Sequence, residues 1–251
     1  MKKIILSAIL LLLFAIPGYA VSLPERLVYD VSWTGISAGR TVQEAKVVGD
    51  EIRIVSTTKS LPWLKVFFPV DDRIESYVMR SGAGGKMGLP RIYRERMNEG
   101  RTHTDKQVFF DHRKQTALTK DYRGKSEKED PIGNNTYDTL SAIYFMRGIE
   151  MIPGKSVFIE IFDCKRLWRT EVQVLRREEI TTPLGTFKTV VVKPLLKSPG
   201  IFARTGDIHI WVTDDVLRLP VKMTSKVKIG SITATLIGGT YWQNEQSALK
   251  Q

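Results

Sequence analysis

Alternation of apolar and polar residues with a period of two runs through most of this chain, and it restricts the fold more than any other feature. The segment from Leu219 to Ile229 shows it most clearly. One face holds Leu219, Val221, Met223, Val227 and Ile229, and the other holds Lys222, Thr224, Lys226 and Lys228. Because successive side chains of a strand point to opposite faces, this pattern predicts a strand with one buried face and one solvated face.

Similar patterns predict a strand-rich chain with short connections. Further strands are expected at 26–34, 40–48 after a turn at 35–39, 51–58, 73–79, 92–97, 102–110, 116–122, 156–162, 168–176, 186–192, 207–213 and 231–237. Short connections favour antiparallel neighbours over parallel strands joined by crossovers. We therefore predict a mainly β fold, an antiparallel meander forming a curved sheet or an open barrel. Two packed β subdomains are the alternative.

One segment has helical spacing instead. Tyr137, Leu140, Ile143 and Tyr144 share a face at the period of a helix, and Asn135 or Thr136 can cap its start. The sequence predicts one short helix at about 137–147. Its apolar stripe should cover the sheet or plug one end of the barrel, and a ligand-contacting stripe is the alternative.

The N-terminus predicts export. Lys2 and Lys3 precede an apolar run from Ile4 to Ile16, and small residues precede a cleavage point after Ala20. We predict a signal peptide at 1–20 and a single β-rich domain at 21–251, with a possible subdivision near 124–135. The predicted location is the periplasm, and an uncleaved N-terminal anchor is the alternative.

The charge balance narrows the range of partners. The chain carries a formal net charge of +11, which falls to about +9 when residues 1–20 and their two lysines are removed. An exported basic chain meets anionic lipid, lipopolysaccharide or acidic glycan, or an envelope protein complex, and we predict no nucleic-acid partner. A general solubilising charge is the alternative. The single cysteine, Cys164, excludes an intrachain disulfide, and we expect it to be a buried apolar residue.

Several ordered segments resemble a known family. They are Glu25–Val31 with Gly35–Gly39, Gly88–Tyr93, Tyr137–Ala142 with Arg147, Thr182–Phe187, Trp211–Asp215 and Arg218–Val221. In this order and spacing the chain resembles the domain-of-unknown-function family numbered 3108, whose members are exported envelope proteins of Gram-negative bacteria. The resemblance implies a β-rich periplasmic domain with a barrel-like sheet. It implies no activity and no catalytic residue.

A basic hairpin is one candidate ligand site. Arg94 and Arg96 share a strand face, Tyr93 lies between the basic residues, and Arg101 follows the turn. Guanidinium groups bind phosphate and carboxylate groups in a bidentate manner, so this hairpin can hold an anionic headgroup or a sugar. Cross-strand pairing with Glu95, Glu99 and Asp105 is the structural alternative.

An apolar cluster between two prolines is the other candidate. It contains Trp63, Leu64, Val66, Phe67 and Phe68. We expect this segment to fold into the core. Alternatively, Trp63 and Phe67 gate a cavity or contact a lipid or a partner.

Motifs for catalysis are weak in this sequence. The three histidines have no metal-type spacing, and no Gly-x-Ser-x-Gly or phosphate-binding loop occurs. We therefore predict no catalytic residue, no metal and no cofactor. The leading hypothesis is a periplasmic non-enzymatic domain that binds an amphiphile or glycan or assists envelope assembly. A hydrolase of envelope glycans or peptides and a protein-interaction scaffold are the alternatives.

Overall fold

The structure is a computed structural model that describes residues 21–81, 86–195 and 207–242 of the chain. The predicted signal peptide at 1–20 lies outside the described residues, as does the end of the predicted domain at 243–251. Within the described ranges, no helix has the length and apolar character needed to cross a bilayer.

Fifteen strands and two helices are present in the described residues. In the first half, the elements are β1 (Glu25–Trp33), β2 (Ile36–Val48), β3 (Glu51–Ser60), α1 (Pro62–Lys65), β4 (Asp71–Ser81), β5 (Lys86–Glu99), β6 (Thr102–Asp111), β7 (Thr116–Asp121) and β8 (Ser126–Pro131). In the second half, they are β9 (Thr136–Tyr137), α2 (Ser141–Arg147), β10 (Ser156–Phe162), β11 (Leu167–Thr182), β12 (Gly185–Pro194), β13 (Ile208–Thr213), β14 (Pro220–Lys226) and β15 (Ser231–Gly239). The predicted mainly β fold is confirmed.

All strands belong to one open sheet, in the order β8-β7-β6-β5-β4-β3-β2-β1-β15-β14-β13-β12-β11-β10-β9. Neighbours are antiparallel, except that β9 pairs in parallel with β10. The two halves of the chain join where β1 pairs with β15, from Leu27 opposite Gly239 to Trp33 opposite Ile232. This pairing makes the first strand central and leaves β8 and the β9–β10 pair as the edges.

The sheet curves around α2. Leu140 and Tyr144 pack with Ile52 and Val108 from the first half of the sheet. Ala142, together with neighbouring partly buried residues of the same helix, packs with Val174 and other residues of the second half. Because one short helix contacts strands that are distant in the sheet order, the concave face encloses the helix.

Several boundaries differ from the predicted ones, for most strands because the strand is longer than predicted. Strand β14 instead ends at Lys226, and Ile229, predicted on the buried face of that strand, is 75% exposed. The helix begins at Ser141 instead of 137, because Thr136–Tyr137 pairs as β9 and the Asp138 carboxylate accepts hydrogen bonds from the backbone N–H groups of Leu140 and Ser141, both at 2.8 Å. The stretch 124–135, where the sequence analysis allows a subdivision, contains β8. The alternating pattern fails to predict β8 because this strand exposes both faces to water and has no apolar face.

Candidate functional site

The six predicted ligand-binding residues lie in separate places. Tyr93 is on the concave face, Arg94 and Arg96 are on the convex face, and Trp63, Phe67 and Arg101 are at one end of the sheet. The structure therefore groups Trp63, Phe67 and Arg101 at one end and keeps Arg94 and Arg96 on one face as predicted, but it separates these two groups from each other and from Tyr93.

Tyr93 faces the interior and shares no surface with the arginines. Its side chain is fully buried, and its hydroxyl lies 2.9 Å from the Thr139 hydroxyl, which donates to it. The Tyr93 hydroxyl also donates to Glu95 at 3.3 Å. The interpretation of one mixed Arg–Tyr face is wrong, because Arg94 is adjacent to Tyr93 in the strand and adjacent side chains point to opposite faces.

Arg94 and Arg96 are engaged with carboxylates. Arg94 donates to both oxygens of Asp105, and the Arg96 guanidinium lies 3.5 Å from Glu75. Glu75 also receives hydrogen bonds from Arg53 and Arg73. Burial alone would raise the pKa of Glu75, but these two guanidinium groups lower it to about 2. The structural alternative of cross-strand pairing accounts for this part of the basic hairpin.

The expectation that the apolar cluster folds into the core is wrong. Phe67 is 81% exposed and Val66 is 79% exposed, and none of the residues of α1 is buried. The Trp63 indole N–H donates to the Ser37 carbonyl at 2.9 Å, which fixes the ring against β2. Two prolines and a four-residue helix hold the segment outside the sheet because they interrupt its strand pairing.

Exposed apolar side chains continue along this end of the sheet. The Trp33 indole N–H donates to the Ile229 carbonyl at 2.8 Å, and Trp33 lies opposite Ile36 across the β1–β2 pair. Phe68 lies against Gly100, whose φ of +57° and missing side chain accommodate the ring. We call this surface the apolar rim, and its exposed members are Trp33, Ile36, Trp63, Val66, Phe67, Phe68 and Ile229.

Cationic groups lie among the rim residues. Lys65 is in α1, Arg101 is in the hairpin that contacts Phe68, and Lys228 is beside Ile229, and all three are exposed. One carboxyl group nearby has an unusual titration. Burial, and then the negative charge of Asp72, raise the pKa of Glu99 to about 7. This end of the sheet therefore becomes more positive below neutral pH.

The interior holds polar groups that sequence reasoning missed. Arg147 and Glu25 are buried and form a bidentate ion pair with both N–O distances at 2.7 Å. The Asp138 carboxylate, whose pKa is raised by burial, accepts a hydrogen bond from Ser76 at 2.6 Å. These bonds attach α2 to the surrounding strands. The sequence could not predict these two contacts, because Arg147 and Glu25 are 122 residues apart and Asp138 and Ser76 are 62 residues apart.

The side chains outside the rim that could act as nucleophiles, acid–base groups or metal ligands are buried or contact other residues. Cys164 is buried, and burial raises its pKa well above the usual value, which disfavours the nucleophilic thiolate. His103 contacts Asn98, His112 contacts the Pro90 carbonyl, and His209 lies 3.5 Å from Asp207. Within the described residues, no group of three or more metal-ligating side chains occurs.

Two clefts lie along the gap between the sheet edges. A groove of about 610 Å³ lies beside β10, and its lining includes Tyr137, Phe145 and Phe158. A smaller cleft of about 260 Å³ is lined mainly by polar groups, including Lys106 and Asp121. Both are open to solvent at the edge of the sheet.

A curved antiparallel sheet enclosing one helix places this chain in the class of β-barrel-like proteins. More particularly, it belongs to the DUF3108 family of proteins of unknown function, whose profile matches residues 28–237. This match confirms the resemblance found in the sequence.

A solved structure has a similar fold. It is the β-barrel-like protein of domain of unknown function DUF1849 from Brucella abortus, with 12% sequence identity and a TM-score of 0.57. The similarity covers 88% of this chain and 98% of that one. At this identity the likeness concerns the fold alone. No curated protein matches the chain.

Proposed function

We propose that this protein is a non-enzymatic domain of the cell envelope that binds anionic amphiphiles through the apolar rim. The observation that carries the proposal is the exposure of Phe67 and Val66 beside cationic side chains. Apolar side chains in this number at one end of a domain are typical of a surface that contacts a lipid or a partner.

The energetics favour a ligand that has both an apolar chain and an anionic headgroup over a ligand that has only one of them. Moving a large apolar side chain such as Phe67 from water into an acyl region contributes about 1.5–3 kcal/mol. Each Lys or Arg near an anionic lipid surface contributes about 1 kcal/mol. Lys65, Arg101 and Lys228 are placed to supply the second contribution while the apolar rim supplies the first.

The two indole groups suit a boundary between lipid and water. Trp33 and Trp63 satisfy their N–H groups with backbone carbonyls and leave their rings exposed. Tryptophan is enriched where one end of the side chain is apolar and the other is polar, as at membrane surfaces. This arrangement supports contact with the headgroup level of a lipid layer.

The interior supports a rim-binding function over an internal carrier or a hydrolase. Side chains of α2 and three hydrophobic clusters fill the concave face in the described residues. The buried ionisable groups Glu25, Arg147 and Asp138 are engaged in bonds that hold the helix. The envelope location is part of the proposal and relies on the signal-like pattern of residues 1–20.

Vesicle sedimentation tests the proposal. The chain from Val21 onward is mixed with vesicles of phosphatidylcholine, or of phosphatidylcholine with phosphatidylglycerol. We expect binding to the anionic vesicles, and a loss of roughly tenfold or more in Val66→Ser with Phe67→Ser, because two exposed apolar groups are removed. The melting temperature should not change, because neither side chain is buried.

The chain offers matched controls. Val47 and Val48 are also exposed neighbours, but they lie at the opposite end of β2 from Ile36. Changing both to Ser should leave binding within about twofold of the wild type. Absence of wild-type binding to anionic vesicles, or equal losses in both double variants, would contradict the proposal.

A second pair of variants tests the charges. Lys65→Glu with Arg101→Glu should weaken binding and reduce its dependence on salt, because screened attraction is lost. Lys46→Glu with Lys188→Glu makes the same net charge change on exposed residues away from the rim. Equal effects of the two pairs would show that only the net charge matters.

A further inference from the structure

Two carboxyl groups lie in contact at the base of the apolar rim. Asp72 is in β4, an even number of residues from the inward-facing Ser76, so its side chain also points to the concave face. Glu99 ends β5, an even number of residues from the inward-facing Tyr93, and points to the same face. A hydrogen bond joins the two side chains, which we call the carboxyl pair. Because a carboxylate can only accept hydrogen bonds, this contact requires a proton on one of the two groups.

The carboxyl pair lies where the turn between β5 and β6 meets the rim segment that follows α1. The backbone N–H of Asn98 donates to the Asp72 carboxylate at 2.7 Å. The Gly100 N–H donates to the Pro69 carbonyl at 2.8 Å. The Phe68 ring lies against Gly100, where a Cβ atom would come within 2.7 Å of the ring. The position of this turn therefore fixes part of the rim.

The attachment of the turn depends on the shared proton. Burial, and then the negative charge of Asp72, raise the pKa of Glu99 to about 7, and burial also raises the pKa of Asp72. Below neutral pH the Glu99 carboxyl group donates to Asp72, and the contact is attractive. Above it the two carboxylates repel each other, and water screens the repulsion weakly because Asp72 is buried. Separation of the turn from β4 relieves the repulsion by exposing both groups to water.

The other charged groups near the pair lie on the opposite face or farther along the strands. Asp71 is exposed, its carboxylate lies 3.8 Å from the Lys59 ammonium group, and its charge acts on Asp72. On the concave side, Glu95 and Lys106 lie opposite each other in β5 and β6. Among the described residues, Asp72 is the charged group that acts on the pKa of Glu99.

Two basic residues follow the pair in the hairpin. Arg101 is exposed in the turn, and an arginine stays charged across the neutral range. His103 is exposed, and its Nδ1 atom lies 3.0 Å from the Asn98 side-chain oxygen. Histidine is the side chain that commonly changes charge near neutral pH, so His103 is the rival source of a pH effect at this turn.

We propose that the carboxyl pair is a proton-dependent clamp that holds the β5–β6 turn against the rim at acidic pH and releases it at alkaline pH. In the protonated clamp, Phe68 stays on Gly100 and Arg101 stays beside the exposed apolar groups. In the deprotonated clamp, the turn separates from β4 and the rim loses this order. The consequence, tighter binding of anionic amphiphiles at acidic pH, rests on the proposed function, whereas the clamp itself does not.

Hydrogen exchange without lipid tests the clamp. The chain from Val21 onward is measured at about pH 5.5 and about pH 8.5, which lie on either side of the pKa of Glu99. We expect the protection factors of the Asn98 and Gly100 amides to fall by roughly tenfold or more at the higher pH. The Thr34 amide, which donates to the Ser231 carbonyl at 2.8 Å elsewhere on the rim, is the internal control. Its protection factor should change by less than about twofold.

Three variants identify the titrating group. Glu99→Gln keeps a donor to Asp72 without a titrating proton, and it should retain high protection at both pH values. Asp72→Asn removes the charge but keeps an oxygen that accepts the Asn98 N–H, and it should give the same result. His103→Gln should retain the pH dependence of the wild type. Melting temperatures close to that of the wild type at about pH 5.5 show that the variants are folded.

Vesicle sedimentation at the same two pH values tests the consequence. Wild-type protein should bind vesicles of phosphatidylcholine with phosphatidylglycerol at least about fivefold more tightly at about pH 5.5 than at about pH 8.5. Glu99→Gln should bind equally, within about twofold, at both.

The two arms of the experiment separate the two proposals. Equal protection of the wild-type Gly100 amide at both pH values would overturn the clamp. So would a pH dependence that persists in Glu99→Gln and disappears in His103→Gln. If the exchange result is as expected but no vesicle binding occurs at either pH, the clamp is supported and the lipid-binding proposal fails.

Discussion

The buried pair of Arg147 and Glu25 gives the sharpest test of how this fold is held together. Arg147 ends α2, and Glu25 begins β1, so the pair attaches the enclosed helix to the central strand. The guanidinium also makes two hydrogen bonds of 3.1 Å to the Leu217 carbonyl, and the Tyr241 hydroxyl donates to Glu25 at 2.8 Å. The change to be made is Arg147→Met, which keeps an unbranched chain and removes the charge.

The expected loss follows from what remains. In Arg147→Met the Glu25 carboxylate stays buried, and among the described residues the Tyr241 hydroxyl is its one remaining hydrogen-bond donor. An uncompensated buried charge costs about 3–5 kcal/mol. The Leu217 carbonyl loses its donor in both variants. In Arg147→Met with Glu25→Leu the unpaired Tyr241 hydroxyl, at about 1–3 kcal/mol, therefore replaces the larger cost of the buried charge. The double variant should therefore be more stable than the single one.

Thermal and urea unfolding of the four proteins in this cycle measure the effect. For a domain of this size, about 3–5 kcal/mol corresponds to a fall in melting temperature of about 6–20 °C. The control is Arg176→Met, since Arg176 makes the same contact with Glu178, 2.7 Å, on the surface. We expect the control to lose less than about 1 kcal/mol. A loss in Arg147→Met no larger than that, or no recovery in the double variant, would refute the reasoning.

Other expectations concern the thiol, the titrating carboxyl group and the N-terminus. Cys164→Ala should lower the free energy of unfolding by about 1 kcal/mol and leave lipid binding intact. The wild-type thiol should react with a disulfide reagent only when the protein unfolds, and fast reaction of the folded protein would contradict this. Because the pKa of Glu99 is raised to about 7, the folded state binds its proton more tightly than the unfolded state, so this group's stabilisation is lost as pH rises from about 4.5 to about 7. In Glu99→Gln the melting temperature should therefore depend less on pH between about 4.5 and about 7 than it does in the wild type. An unchanged dependence would show that another group is responsible. Intact-mass measurement of exported protein should give a chain beginning at Val21, whereas retention of residues 1–20 would show an anchor.

The strand content could be predicted from the sequence because it depends on local pattern. Period-two alternation is a property of neighbouring residues, and it located β14, from Pro220 to Lys226, without knowledge of its partners. The helical spacing of Leu140 and Tyr144 likewise predicted α2. Its first turn was predicted too early because Tyr137 pairs with β10, and that contact is not local.

The candidate surface required the tertiary structure. The sequence identified Trp63 and Phe67 as unusual but could not say which side of the sheet they would occupy, and hydrophobicity alone favoured the core. Curvature decided this, since α2 and the inward side chains already fill the concave face. The rim then forms where hairpins distant in sequence, such as those with Trp33 and Ile229, meet at one end of the sheet.

The sequence by itself determined whether most segments form a strand or a helix, because both periodicities depend only on residues that are close together in the sequence. Only the tertiary structure decided the pairing of β1 with β15, which are far apart in sequence, and the buried contact between Arg147 and Glu25. Glu25 and Arg147 are 122 residues apart and carry no local sign of their contact. They meet because the pairing of β1 with β15 joins the two halves of the sheet around one helix. Once buried, each of the two charges needs the other, because an unpaired buried charge is strongly destabilising.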